Sequence, residues 1–148
     1  VHASERDSAL MERIMAVDFG DARTGLAVSD PLGMLANGIG YVKSDYMPKT
    51  ADLVAEKVFE YKAAKIVIGL PINMNGSEGP RAEHAKEFGK LLSERVGEIP
   101  IVFFDERCST MAAHQIMNFT DTRGKKRKEA VDTLSAQIIL QNYLDSHR

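Results

Sequence analysis

The stretch RIMAVDFGDARTGLAVS, Arg13–Ser29, decides the fold. RIMAVD (Arg13–Asp18) is a short apolar run that ends on an acid, with Gly20 just beyond it, and reads as a strand entering a turn. TGLAVS (Thr24–Ser29) reads as a second strand. The link Phe19–Arg23 is too short for a crossover, so the two strands pair antiparallel. After the turn Pro31-Leu32-Gly33, GIGYVK (Gly38–Lys43) continues the meander as a third strand.

Beyond the meander the period changes. Over Thr50–Lys62 the apolar residues Val54, Val58 and Tyr61 recur at +4 and +3, which predicts a helix. KIVIGL (Lys65–Leu70) is short, continuous and β-branched, the pattern of a strand buried on both faces. Pro71–Pro80 is dense in turn residues, and a helix follows with Phe88, Leu91, Leu92 and Val96 on one stripe. PIVFFD (Pro100–Asp105) is another buried strand ending in acids. Ser109 or Thr110 is placed to cap a helix running to about Met117, Phe119–Lys128 reads as a polar, basic loop, and Glu129–Leu144 as the last helix. This order predicts an α/β domain: a five-stranded mixed sheet, three antiparallel strands then parallel αβ units, with helices on both faces.

The chain has 148 residues, enough for one domain that buries roughly 70% of its unfolded surface. The domain is expected over 13–146, with 1–12 an N-terminal extension or a remnant, since Met11 stands just before the first apolar run. Cys108 is the only cysteine, so no internal disulfide forms, which suits a reducing compartment such as the cytoplasm. No apolar run approaches the ~18 residues of a membrane span, and the first dozen residues lack the apolar core of a signal peptide. The net charge is −2, so any nucleic-acid-binding face must be a local feature.

Several acids stand where chemistry could use them. Asp18 ends a buried strand, and Gly20, Arg23 and Gly25 follow in the turn and second strand. A strand end holds a carboxylate rigidly, as a metal ligand requires, and a guanidinium can fork onto phosphate oxygens. A plain hairpin with a turn aspartate is the competing reading. Asp105, Glu106 and Arg107 follow the last strand. Alternation sends side chains 105 and 106 to opposite faces, so one of the two faces a site while the other pairs with Arg107 or caps a helix. Asp132 shares a stripe with Ala136, Ile139 and Tyr143. There it needs a cation or hydrogen bonds, unless it merely opens a helix and complements its dipole. Three such oxygen donors would select Mg²⁺ or Mn²⁺, and two ions can activate water on a phosphodiester. Arg123, Lys125, Lys126, Arg127 and Lys128 are either a solvated run or a phosphate contact beside Asp132. Asn75, Ser77 and Arg81 also border a glycine loop that could touch phosphate. His2, His84, His114 and His147 show no metal-ligand spacing and read as surface residues, Cys108 has no base beside it, and no dinucleotide or Walker fingerprint is present.

These pieces resemble the YqgF (RuvX) family: Asp18-Phe19-Gly20 with Arg23 and Gly25, Ile68-Gly69-Leu70-Pro71 with Asn75-Gly76-Ser77, Asp105-Glu106-Arg107 before Ser109-Thr110, and Asp132 through Leu144. The match runs from about Arg13 to Leu144. The resemblance implies a ribonuclease-H-like fold and a nuclease of structured nucleic acid, acting on the 5′ end of pre-16S ribosomal RNA or on Holliday junctions. It implies Asp18, Glu106 (or Asp105) and Asp132 as the acids. In related junction resolvases the fourth strand ends in a carboxylate, whereas Gly69-Leu70-Pro71 stands here. Two other readings compete: an actin-like ATPase half, which 148 residues cannot complete, and a non-catalytic RNA- or ribosome-binding module.

Overall fold

The structure is a computed structural model that describes residues 12–73, 75–105 and 124–147; in the final helix it describes side chains from residue 131 onward, residue 132 excepted. The elements are β1 (Arg13–Asp18), β2 (Arg23–Ser29), β3 (Ala36–Lys43), α1 (Met47–Glu60), β4 (Ala63–Leu70), α2 (Pro80–Val96), β5 (Ile101–Asp105) and α3 (Gly124–Ser146). The five strands form one sheet in the order β3-β2-β1-β4-β5. The β1–β2 and β2–β3 pairs are antiparallel, while β1–β4 and β4–β5 are parallel, so the expected mixed sheet is what forms.

Alternation along the central strands divides the core in two. Met15, Val17, Ile66 and Ile68 point to one face and pack with Val54 and Val58 of α1 and Phe88 and Leu92 of α2. Ala16, Ala27 and Val67 point to the other and pack under Ala136, Ile139, Leu140 and Tyr143 of α3. On β1, β2 and β3 the α3 face carries the small residues Ala16, Ala27 and Gly38, which lets the helix come close. Gly38 of β3 shows how close: a Cβ there would lie 2.7 Å from Cγ2 of Thr133. Two glutamines of α3 then fasten the start of β3. Gln141 accepts from the Ala36 N–H at 2.9 Å, and Gln137 donates to the Ala36 carbonyl at 3.2 Å.

The structure departs from the sequence reading at element ends. α1 starts at Met47, three residues before Thr50, because Pro48 in its first turn already has a helical φ. Lys62, with φ 55°, makes the left-handed step into β4, which begins at Ala63 and not Lys65. The larger correction concerns α3. The expected basic loop through Lys128 stops short, and Lys125–Lys128 belong to the first turns of a helix that opens at Gly124. Lysine, arginine, glutamate and alanine are all good helix formers, and polarity alone does not make a loop. The expected helix near 109–117 lies outside the described residues.

At the sheet end away from Asp18, the β2–β3 turn is closed by Asp30, whose carboxylate accepts from the Met34 N–H at 2.8 Å. That backbone hydrogen bond holds the Asp30 carboxyl below the ordinary carboxylate range.

Phe88 is wholly buried and stacks on Phe19, the residue after Asp18, with ring centroids 4.7 Å apart. Phe88→Ala should therefore lower unfolding stability by about 3–5 kcal/mol, read from the urea midpoint, with an unchanged far-ultraviolet spectrum below the transition. A loss below about 1 kcal/mol would mean that the α2 contact does not hold this edge of the sheet.

Candidate functional site at the C-terminal edge of the sheet

Asp18 is the last residue of β1 and is half-buried. It continues the parity of Ile14 and Ala16, which places it on the α3 face of the sheet. Its neighbours on both sides are glycines. Gly25 of β2 is its partner in register, and Gly69 of β4 follows Ile68, the partner of Val17.

The turn after Asp18 is tied by a residue the sequence reading passed over. Thr24 is fully buried; its hydroxyl accepts from the Gly20 N–H at 3.3 Å and donates to the Gly20 carbonyl at 3.4 Å. A Cβ on Gly20 would overlap the backbone carbonyl oxygen of Arg23, so glycine is required there. The Ser44 N–H donates to the Ala22 carbonyl at 3.0 Å and joins the end of β3 to the same turn. Arg23 opens β2 opposite Lys43 of the edge strand, half-buried and on the same sheet edge as Asp18.

Asp105 ends β5, opposite Leu70. It has the parity of Ile101 and Phe103, and Phe103 reaches toward α2: its Cζ lies 2.7 Å from a Cβ built on Gly89. Val102 and Phe104 pack on the α3 face instead. Alternation therefore carries Asp105 to the face opposite Asp18. Glu106 and Arg107 lie outside the described residues, as do the side chains of Lys125, Lys126, Arg127, Lys128 and Asp132.

The backbone of α3 still bears on Asp132. The helix opens at Gly124, so residue 132 falls in its third turn, where the helix dipole no longer accounts for an acid. Ala136, Ile139 and Tyr143, which share its spacing in the sequence, are buried against the sheet, at 0%, 0% and 5% exposure.

Asn75 and Ser77 serve their own loop. The Ser77 hydroxyl donates to Oδ1 of Asn75 at 2.6 Å and accepts from Nδ2 of Asn73 at 3.0 Å, and Gly76 turns the chain at φ 89°. Arg81 sits in the first turn of α2, exposed, near Phe19–Asp21 and Pro71. His84 is exposed beside it, and His147 stacks on Tyr143 with centroids 4.0 Å apart. Among the described residues no three His, Cys, Asp or Glu side chains gather as a metal cage. Among them, too, no helix is long and apolar enough to cross a membrane.

A family model described as "RuvX: Holliday junction resolvase" matches residues 12–146. The chain belongs to the RuvX family. A relative of this RuvX protein from Ruminiclostridium cellulolyticum, named "Putative pre-16S rRNA nuclease", is 46% identical over 134 residues, covering 90% of this chain and 94% of its own. A relative from Listeria innocua with the same name is 46% identical over 136 residues, covering 90% and 98%. Among solved structures, Thermus thermophilus RuvC in complex with a Holliday junction substrate superposes with a TM-score of 0.58 at 13% identity, covering 91% of this chain and 94% of that one. The Fowlpox virus resolvase bound to Holliday junction DNA gives 0.51 at 15%, covering 90% and 97%. These two likenesses establish the fold, which is ribonuclease-H-like.

In this RuvX protein the Gly20 turn sets where Asp18 ends its strand. Gly20→Ala should cost about 1–3 kcal/mol of stability, the range for forced overlap, because backbone must move against backbone. Urea denaturation reads it, and an Ala variant as stable as wild type would show the turn to be looser than this geometry.

Proposed function

We propose that this protein is a divalent-metal-dependent endonuclease that hydrolyses phosphodiester bonds in structured nucleic acid, with the 5′ end of pre-16S ribosomal RNA in the cytoplasm as its substrate. The observation that carries the reading is the placement of Asp18. It is a carboxylate at the rigid end of the central strand, on the face covered by α3, with glycines in both flanking strands. In the sequence Asp132 has the helical spacing of Ala136 and Ile139, which pack on the sheet, and Glu106 follows Asp105. Asp18, Glu106 and Asp132 are all hard oxygen donors and fit Mg²⁺ or Mn²⁺. When bound, the ions would supply positive charge to the attacking water and the leaving oxygen.

The remaining parts position the substrate. Arg23 and Arg107 fork onto phosphate oxygens near the acids. Arg81 and the Asn75–Ser77 loop flank the same sheet edge. Lys125, Lys126, Arg127 and Lys128 occupy the first turns of α3, the positive end of its dipole. Each such cation is unfavourable by roughly 0.3–1 kcal/mol in a bare helix, and a phosphate backbone reverses that sign. The preference for RNA rests on the pre-16S rRNA names of the relatives. A DNA reading, a nuclease acting like a Holliday-junction resolvase, is favoured by the family description and the shared fold.

The deciding experiment is cleavage of pre-16S rRNA and of a four-way DNA junction with Mg²⁺ or Mn²⁺, wild type against Asp18→Asn. Asp18→Asn should keep the fold and lose cleavage by at least about 100-fold, since an amide cannot replace the ligand charge. Comparable cleavage by the variant would remove Asp18 from the site. Binding of both substrates with no metal-dependent cleavage by wild type would favour the non-catalytic module instead.

Asp132 can be tested without turnover. Millimolar Mn²⁺ should raise the melting temperature of wild type, since a ligand held only by the native state shifts unfolding. Asp132→Asn should abolish most of that rise. An equal rise in both proteins would exclude Asp132 from the ligand set.

A further inference from the structure

Asp18 and Phe19 leave the strand end on opposite faces of the sheet, so a nucleic-acid strand held at Asp18 that crosses this edge next meets the α1–α2 face. A groove lies there. Its first part, a cavity of about 140 Å³, is walled by Phe19, Gly20, Asp21 and Pro71 and headed by Arg81 and His84. It continues into a cavity of about 270 Å³ that shares Phe19, Asp21 and His84 and adds Asp45 and Glu87. The cation is confined to the first cavity, where Arg81 stands with Asp21, while the second is lined by Asp21, Asp45 and Glu87 alone among charged residues, so the charge along the groove is asymmetric. Among the described residues, neither Arg81 nor His84 has a hydrogen-bond or ion-pair partner.

An unpaired nucleotide has the matching polarity. Its phosphate is anionic, its base has an apolar face, and the edge of adenine, cytosine or guanine carries an exocyclic amine that donates to carboxylates. We propose that this groove is a subsite for one unpaired nucleotide flanking the scissile bond. Its phosphate lies on Arg81 and His84, and its base lies along Phe19 with its donor edge toward Asp21, Asp45 and Glu87. The inference rests on the nuclease reading and deepens it. It assigns His84, a residue with no metal-ligand spacing, a place in substrate selection, and it makes the protein prefer a duplex end that carries a single-stranded flank.

The test is fluorescence-anisotropy binding with divalent metal chelated, so that nothing is cut. The probes are a stem-loop RNA with a short single-stranded 5′ flank, the same stem-loop blunt, and the flanked form with abasic nucleotides. Wild type should bind the flanked RNA about fivefold or more tighter than the blunt one, and the abasic flank should recover only part of that gain. Arg81→Ala and His84→Ala should each erode the preference and together remove it. Arg81→Ala should lower the salt slope by about one unit, and His84→Arg should retain flank binding. Blunt-RNA affinity should stay within about twofold in His84→Ala and His84→Arg, and unchanged urea midpoints in all variants separate a lost subsite from a damaged fold. A flank preference that survives in the double variant, or its absence in wild type, overturns the proposal while metal-dependent cleavage by wild type keeps the nuclease reading. An abasic flank that binds as tightly as the intact one overturns the base contact. Wild type that neither binds these RNAs nor cleaves any substrate would remove both.

Discussion

β1 is paired along both edges, antiparallel to β2 and parallel to β4, and Met15, Ala16 and Val17 are wholly removed from solvent. A strand held in this way cannot slip by one residue. A slip would exchange Met15 and Val17 with Ala16 and drive large side chains into the narrow space under α3, while leaving voids against α1 and α2. The same lock fixes the end of the strand. Asp18 must face α3, and Phe19 is drawn back to Phe88 on the other side. Stability and function are therefore coupled at two consecutive residues: one is set in the core, and the other is aimed by it.

The α3 face works by what is missing from it. Ala16, Ala27, Gly38 and Gly69 leave a shallow surface, and a single helix bearing Ala136, Ile139 and Leu140 settles onto it. Side-chain amides of Gln137 and Gln141 occupy the backbone groups at the start of β3, where β-pairing on the outer edge ends. The packed half of α3, with Ala136, Ile139, Leu140 and Tyr143 on the sheet, thus anchors a helix that opens at Gly124. Its opening turns carry the cations in the sequence.

The strands were legible because apolar runs ending in acids have few alternatives, and the short Phe19–Arg23 link permits only antiparallel pairing. The position of Asp18 at the end of its strand was legible for the same reason, since the apolar run stops there. The opening of α3 was not, since Arg123–Lys128 looks like solvated chain until the partner surface is known. Its helical state draws on lysine, arginine, glutamate and alanine, which favour a helix although their polarity reads as loop. Thr24 was missed because a threonine opening a strand has no signal of its own; only the folded turn brings its hydroxyl onto both polar groups of Gly20. His84 was passed over because its role depends on a groove assembled from the β1–β2 turn, Pro71 and two helices, which no spacing rule along the chain encodes.

The net charge of −2 is at odds with a polyanionic substrate only if charge is averaged over the surface. At this sheet edge the signs are separated by element. Strand ends carry carboxylates, the first turns of α3 carry four consecutive cations, and the first turn of α2 carries Arg81. Each set is unfavourable alone: carboxylates brought together repel, and cations at a helix's positive end oppose its dipole. On the proposed reading, phosphate and divalent metal arriving together would relieve both, the metal neutralising the acids and the phosphates the helix. An acidic strand end without α3 would hold ions but repel nucleic acid. A basic helix without the acids would bind any polyanion and cut none. Joining the two across the α3 face makes binding and cleavage depend on the same substrate geometry, which is the requirement for a nuclease that must leave most of the nucleic acid it meets intact.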